Sequence, residues 1–276
     1  MKNLLPFLIL GFLFFSCEDV IEVDAPSEAP KLNIDALIRV DTSKTRTTVK
    51  VIAGLTSSFF DELKPAKLNQ IVITNLRSET SLFLQESDPG IYVGVQNTTF
   101  FTDGELALSI EHEDQTYEAR ATYMEASEIT KLEQGNGTLF EGNETEIIIA
   151  FTDIPNEDNY YLFDFDFNEY LVTEDDFHKG KSFEFSYFYN DDITPGMEIN
   201  INLLGIDEAF YNYMDLVIVQ SGSSQGPFQT PVATVKGNIT NITGTTNIDD
   251  VKVNTENFAF GYFAVCQSFS RSIIIE

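Results

Sequence analysis

Cys17 is the residue with the most evident chemistry, and it closes a short apolar run at the start of the chain. Lys2 supplies positive charge, Leu4 to Phe15 is apolar with an interrupting Pro6, and Ser16 precedes the cysteine. Such a run falls short of the ~20 residues that a bilayer core requires. Residues 1–16 therefore read as a cleavable signal peptide, not a spanning helix. Cleavage there leaves the Cys17 thiol at the new N-terminus, open to acylation. Cys266 is the only other cysteine, so once Cys17 is lipidated no intrachain disulfide or cysteine-held metal is available. Cys266 shares an alternating face with Phe260, Tyr262 and Ala264, the setting of a small buried hydrophobe.

The remaining chemistry-bearing residues do not assemble into a known reaction motif. His112 and His178 are the only histidines, and both sit among acidic residues without a nucleophile motif beside them. Nucleophilic catalysis needs a base set against a serine or cysteine, so both read as surface histidines. No Gly-x-Ser-x-Gly, Gly-rich phosphate loop or paired-histidine metal motif occurs. A glycosidase needs two carboxylates in contrasting environments, and 44 acidic residues give no basis for choosing a pair. The clusters Asp153–Asp158, Glu174–Asp176 and Asp191–Asp192 offer oxygen atoms of the kind Ca²⁺ takes six or more of, but none has EF-hand spacing. The expectation is no catalytic residue, no cofactor and solvated acidic faces, with an adventitious Ca²⁺ in an acidic loop as the alternative.

The Ser16-Cys17 junction resembles the lipobox of bacterial lipoproteins, with Phe14 where Leu, Val or Ile is usual. The resemblance implies that Cys17 becomes the first mature residue and carries the acyl chains. One chain binds a membrane only marginally and two anchor it stably. The acidic stretch Glu18 to Asp24 resembles signals that route Bacteroidota lipoproteins to the outer cell face. Basic residues number 16 and the formal net charge is −28, one unit more negative once Lys2 is removed. Phosphate binding needs Lys/Arg clusters, so nucleic acid is excluded as a partner. The dispersed acidic charge fits a soluble extracytoplasmic surface.

The elements that would carry these residues are mainly strands. Residues 17–30 are acidic, contain Pro26 and Pro30, and read as an extended tether. From Lys31 to residue 123, seven short period-2 runs are separated by Gly, Asp, Asn and Pro turns, among them Asp88-Pro89-Gly90. That pattern predicts an immunoglobulin-like or transthyretin-like β-sandwich. Residues 124–142 have few strand signals and hold Gly135-Asn136-Gly137, a boundary. A second antiparallel β domain is predicted over 124–276. In it Tyr161, Phe163, Phe165 and Phe167 alternate with Leu162, Asp164, Asp166 and Asn168, and Phe183, Phe185, Tyr187 and Tyr189 with Glu184, Ser186, Phe188 and Asn190, a largely polar second face. Half-buried strands have this period, so these rings read as core and not as a sugar platform. Phe210, Tyr213, Met214 and Val217 fall at i, i+3, i+4 and i+7 behind Asp207 and Glu208, which predicts one amphipathic helix near 206–220. The chain should close on a strand pair, Asn257–Gln267 and Ser270–Ile275.

Several blocks in this order resemble the Bacteroidota lipoprotein family labelled domain of unknown function 4249. They are Ser16-Cys17 with its acidic sequel, Pro30-Lys-Leu-Asn-Ile-Asp-Ala, Gly90-Ile-Tyr, Gln115-Thr-Tyr-Glu-Ala-Arg-Ala-Thr and Asn159-Tyr-Tyr-Leu. The C-terminal blocks are Gly226-Pro-Phe-Gln-Thr-Pro, Lys236-Gly-Asn-Ile-Thr-Asn, Phe260-Gly-Tyr-Phe-Ala and Ser270-Arg-Ser-Ile. Glu105-Leu-Ala-Leu and the longer Thr245–Glu256 segment depart from the family pattern. The resemblance implies an outer-membrane lipoprotein, in a family often encoded beside TonB-dependent receptors, and it transfers no catalytic residue. The expected function is that of a non-enzymatic, surface-exposed lipoprotein acting as an accessory or ligand-binding partner of such a receptor. The alternative is a stand-alone glycan-binding or adhesion lipoprotein.

Overall fold

A computed structural model describes residues 29–57, 64–139, 142–176, 179–189, 193–221, 234–245, 248 and 258–276. The expected signal peptide, Cys17, most of the tether, His178 and Asp191–Asp192 lie outside the described residues. The chain is mainly β. The first strands are β1 (Leu32–Val40), β2 (Arg46–Leu55), β3 (Lys64–Pro65), β4 (Gln70–Asn75), β5 (Thr80–Phe83), β6 (Gln85–Asp88) and β7 (Ile91–Asn97). A one-turn helix α1 (Thr98–Thr102) leads to β8 (Glu105–His112) and β9 (Gln115–Met124). All seven expected runs are strands, and β3 and β6 are short additions beside them. In β1 and β2 every second residue is buried, from Leu32 to Val40 and from Thr47 to Ala53. These side chains share one core with Ile71, Ile73, Leu106, Leu108 and Ile110 from the β5-β4-β8-β9 ladder.

The later elements are β10 (Ile129–Gln134), β11 (Thr145–Thr152), β12 (Tyr160–Asp164), β13 (Tyr170–Glu174), β14 (Ser182–Tyr189) and β15 (Glu198–Ile206). They are followed by helix α2 (Glu208–Ser221), β16 (Thr240–Asn241) and β17 (Phe260–Ile274). The β10-β11-β14 sheet and the β13-β12-β15 ladder enclose a second core. Phe151, Tyr161, Phe163 and Phe165 are fully buried there, and the Phe165 ring stacks on Tyr187 at 3.7 Å between centroids. Strand β10 occupies a stretch with few strand signals in its sequence.

Two expectations are corrected. Phe167 does not continue the aromatic face of β12, because the strand stops at Asp164 and Asp166, Phe167 and Asn168 all take positive φ. Asp164 Oδ1 accepts the Asp166 N–H, and the two Asp166 carboxylate oxygens accept the N–H groups of Phe167 and Asn200. Local Asx bonds of this kind offer the backbone an alternative to the ladder, and Phe167 is left 47% exposed. The C-terminus is not a strand pair but one 15-residue strand, about 50 Å long at ~3.3 Å per residue. Asn33–Val40 of β1 pairs in parallel with Phe260–Gln267, and β15 pairs antiparallel with Ser268–Ile274. The strand changes partner without turning, so it belongs to both ladders. Thr240–Asn241 likewise pairs with β9. Among the described residues no helix is long and apolar enough to cross a membrane.

Candidate functional site

Helix α2 lies where the two halves meet. Asp207 caps it: its Oδ1 accepts the Phe210 N–H at 2.7 Å, which satisfies one of the donors a helix start leaves open, and its carbonyl accepts the first regular helical bond, from the Tyr211 N–H. The expected stripe faces inward: Phe210 is buried, and Tyr213 and Met214 pack with Leu37, Leu162, Leu204, Tyr262, Ala264 and Cys266. Cys266 is fully enclosed in this layer, and burial pushes its thiol well above the usual range. It is a packing residue.

Beside the helix a groove of about 520 Å³ opens over the outer faces of β1 and β2. Odd-numbered β1 residues and even-numbered β2 residues point away from the first core, which sets Asn33, Asp35, Leu37 and Arg39 beside Thr48, Lys50 and Ile52 on its floor. Tyr213, Met214 and Val217 of α2 form one wall, and Leu162 and Tyr170 close one end. Arg39 Nη2 contacts Asp164 Oδ2 at 2.6 Å, tying β1 to the end of β12. Asp35 and Lys50 are exposed and make no side-chain hydrogen bond or ion pair among the described residues. Burial first, then the Asp35 charge, raises the Tyr213 hydroxyl above its ordinary pKa. Tyr170 is raised by burial, by Asp164 and more weakly by Asp35, with Arg39 opposing. Both phenols are therefore neutral donors at physiological pH, close enough to Asp35 to feel its charge.

The acidic clusters form a separate arrangement. Asp153 is buried, and its oxygens accept the Tyr161 hydroxyl and the Gly180 N–H, each at 2.6 Å. Lys179 pairs with Asp158, and the Asp175 and Asp153 charges further raise the Lys179 ammonium pKa. Asp175 Oδ2 is buried without a hydrogen-bond partner among the described residues. Among the described residues no group of three or more His, Cys, Asp or Glu side chains is placed to hold a metal ion. His112 sits at the β8–β9 turn, its Nδ1 3.1 Å from the Lys67 carbonyl oxygen.

The sequence singles out no groove residue for binding, and Tyr213, Met214 and Val217 stand out in it only as the helix stripe. The available signal was subtle: β1 and β2 carry Asp35, Arg39 and Lys50 on an outward face that also holds Leu37 and Ile52. The family model for Domain of unknown function (DUF4249) matches residues 18–272. Comparison with curated proteins gives no match.

Proposed function

Because the chain belongs to the family described as Domain of unknown function (DUF4249), we propose a role that rests on the groove between α2 and β1–β2. The protein acts as a non-enzymatic, surface-exposed outer-membrane lipoprotein. It serves as an accessory, ligand-binding partner of a TonB-dependent receptor. The observation that carries this reading is the groove: a cleft of small-molecule size, where the two ladders meet, walled by apolar and tyrosine side chains and floored by Asp35 and Lys50, which make no ion pair among the described residues, beside Arg39, which is paired to Asp164. The leader ending on Cys17 supports membrane attachment, and attachment raises the effective concentration of the chain near a receptor without requiring a tight interface.

Pull-down of the tagged chain from native membranes after gentle cross-linking tests the partnership. A TonB-dependent receptor should be recovered, in an amount that falls with ionic strength if the acidic surface meets a basic patch. Recovery of the lipoprotein alone, from cells rich in the neighbouring receptor, overturns the reading. The rival glycan-binding module draws no support from Phe163 and Phe165, whose rings are fully buried.

A further inference from the structure

We infer that the groove binds a short zwitterionic peptide of two or three residues, with its ammonium at Asp35 and its carboxylate at Lys50 and Arg39. This deepens the proposed ligand-binding role and rests on that reading. Opposite charges line one cavity, yet Asp35 and Lys50 do not pair. Ile52 lies opposite Asp35 at the last pair of the β1–β2 ladder, and Lys50 follows two residues on along β2, about 7 Å further, on the same outward face and in the same groove. Arg39 lies four residues along the same strand, about 13 Å from Asp35. Its guanidinium has five N–H donors, and Asp164 engages one nitrogen of it, so donors remain for a second carboxylate. An extended peptide spans about 3.3–3.6 Å per residue, so two or three residues cover roughly 7–11 Å, enough to run from Asp35 past Lys50, and the long Arg39 side chain covers the remaining distance to its Cα.

Alternative ligand classes each leave a charge uncompensated. An anionic amphiphile is repelled by Asp35, a cation leaves Lys50 unpaired, and a neutral sugar compensates neither. A zwitterion compensates both, and Leu37, Met214 and Val217 between the poles accept an apolar side chain. Tyr170 and Tyr213 beside Asp35 add neutral aromatic faces, which attract a cation.

Titration calorimetry on the full chain purified in detergent, with Ala-Leu-Ala, its N-acetylated form and its C-amidated form, tests the assignment. Each blocked form should bind about tenfold or more weakly than the free peptide, the range of a lost charge-assisted bond. Asp35→Asn should remove the penalty for acetylation but keep that for amidation, and Lys50→Gln should reduce the amidation penalty alone. Both side chains are exposed, and unchanged melting of the variants verifies their folding. Absence of peptide binding, equal binding of the three forms, or tighter binding of octanoate or maltotriose overturns the proposal. Receptor co-purification needs no added ligand, so it can succeed when the peptide assay fails, and the reverse.

Discussion

Asn238→Ala should destabilise the protein far more than loss of one half-buried amide suggests. β9 and β17 pair only at Tyr123–Val265 and Met124–Cys266, and upstream of that point the two strands are not hydrogen-bonded to one another. Asn238 takes the place of the missing strand: its Nδ2 donates to the Phe263 carbonyl at 2.8 Å and to the Arg120 carbonyl at 3.2 Å, and its Oδ1 accepts the Phe263 N–H at 2.9 Å. Phe263 is fully buried, so water does not readily replace these bonds. Three bonds at a net ~0.5–1.5 kcal/mol each give about 3 kcal/mol. In a chain of this size that is a Tm decrease of about 6–12 °C. Thermal and denaturant unfolding followed by circular dichroism read it directly. Two comparisons separate hydrogen bonding from packing. Asn238→Asp keeps the shape but turns a carboxylate toward two carbonyl oxygens, so it should be at least as damaging as alanine. Asn69→Ala removes one exposed bond to the Glu113 carbonyl and should cost less than about 0.5 kcal/mol. An Asn238→Ala protein that melts within about 2 °C of the parent, or an Asp variant as stable as the parent, refutes the reasoning.

Phe163→Ala should cost about 3–5 kcal/mol as a core aromatic truncation, whereas Phe167→Ala, at an exposed turn, should cost under about 1 kcal/mol; equal denaturant midpoints for the two would contradict the assigned faces. Cys17→Ala should abolish fatty-acid labelling and membrane fractionation, and a labelled, membrane-bound variant would rule out the anchor. Burial raises the hydroxyls of Tyr161, Tyr187, Tyr189 and Tyr262, and that of Tyr123 to about 12. Below pH ~10 folded and unfolded chains both keep these protons. Above it the unfolded chain releases protons that the folded one retains, so stability should fall steadily as pH rises from about 10 toward 12. Phenolate absorbance appearing near pH 10 for every tyrosine, with circular dichroism unchanged, would contradict this.

The parts legible in the sequence were those set by local periodicity. β1, β2 and β8 alternate cleanly because each buries one face, and the α2 stripe matched a 3.6 period behind a capping Asp207. What escaped reading depended on partners distant in sequence. Ser268 and Phe269 look like a hinge between two runs, but no residue there forces a turn, and β15 takes up the hydrogen bonds just where β1 ends. Phe167 fits a period-2 face, yet Asx bonds at Asp164 and Asp166 outcompete the ladder. The groove was illegible for a similar reason. Asp35 and Lys50 read separately as ordinary solvent-facing strand residues, and only the fold sets them beneath one helix.

Two glycine-bearing stretches near the C-terminus meet in the fold for one physical reason. Gly261, at φ +94°, runs against the β1 backbone, where a Cβ would overlap the Ile34 carbonyl. Gly237 lies on the other side, and a Cβ there would overlap the Gly261 carbonyl. Three backbone segments thus stack at van der Waals contact, a layering that any side chain at either glycine would force apart. Asn238 follows at once to bond β17, Ile239 enters the first core, and Thr240–Asn241 extends the β9 edge. The Lys236-Gly-Asn-Ile-Thr-Asn and Phe260-Gly-Tyr-Phe-Ala blocks are therefore two halves of one clasp. The clasp fixes the height of β17, and β17 carries Tyr262, against which Phe210 and Tyr213 of α2 pack at ring-centroid distances of 4.7 and 4.9 Å. The helix wall of the groove is thus positioned by a strand anchored in both ladders. A ligand that pushes α2 outward must break the layer that Phe210, Tyr213 and Met214 form with Leu162, Leu204, Tyr262 and Cys266, so the groove should keep its width whether it is empty or filled.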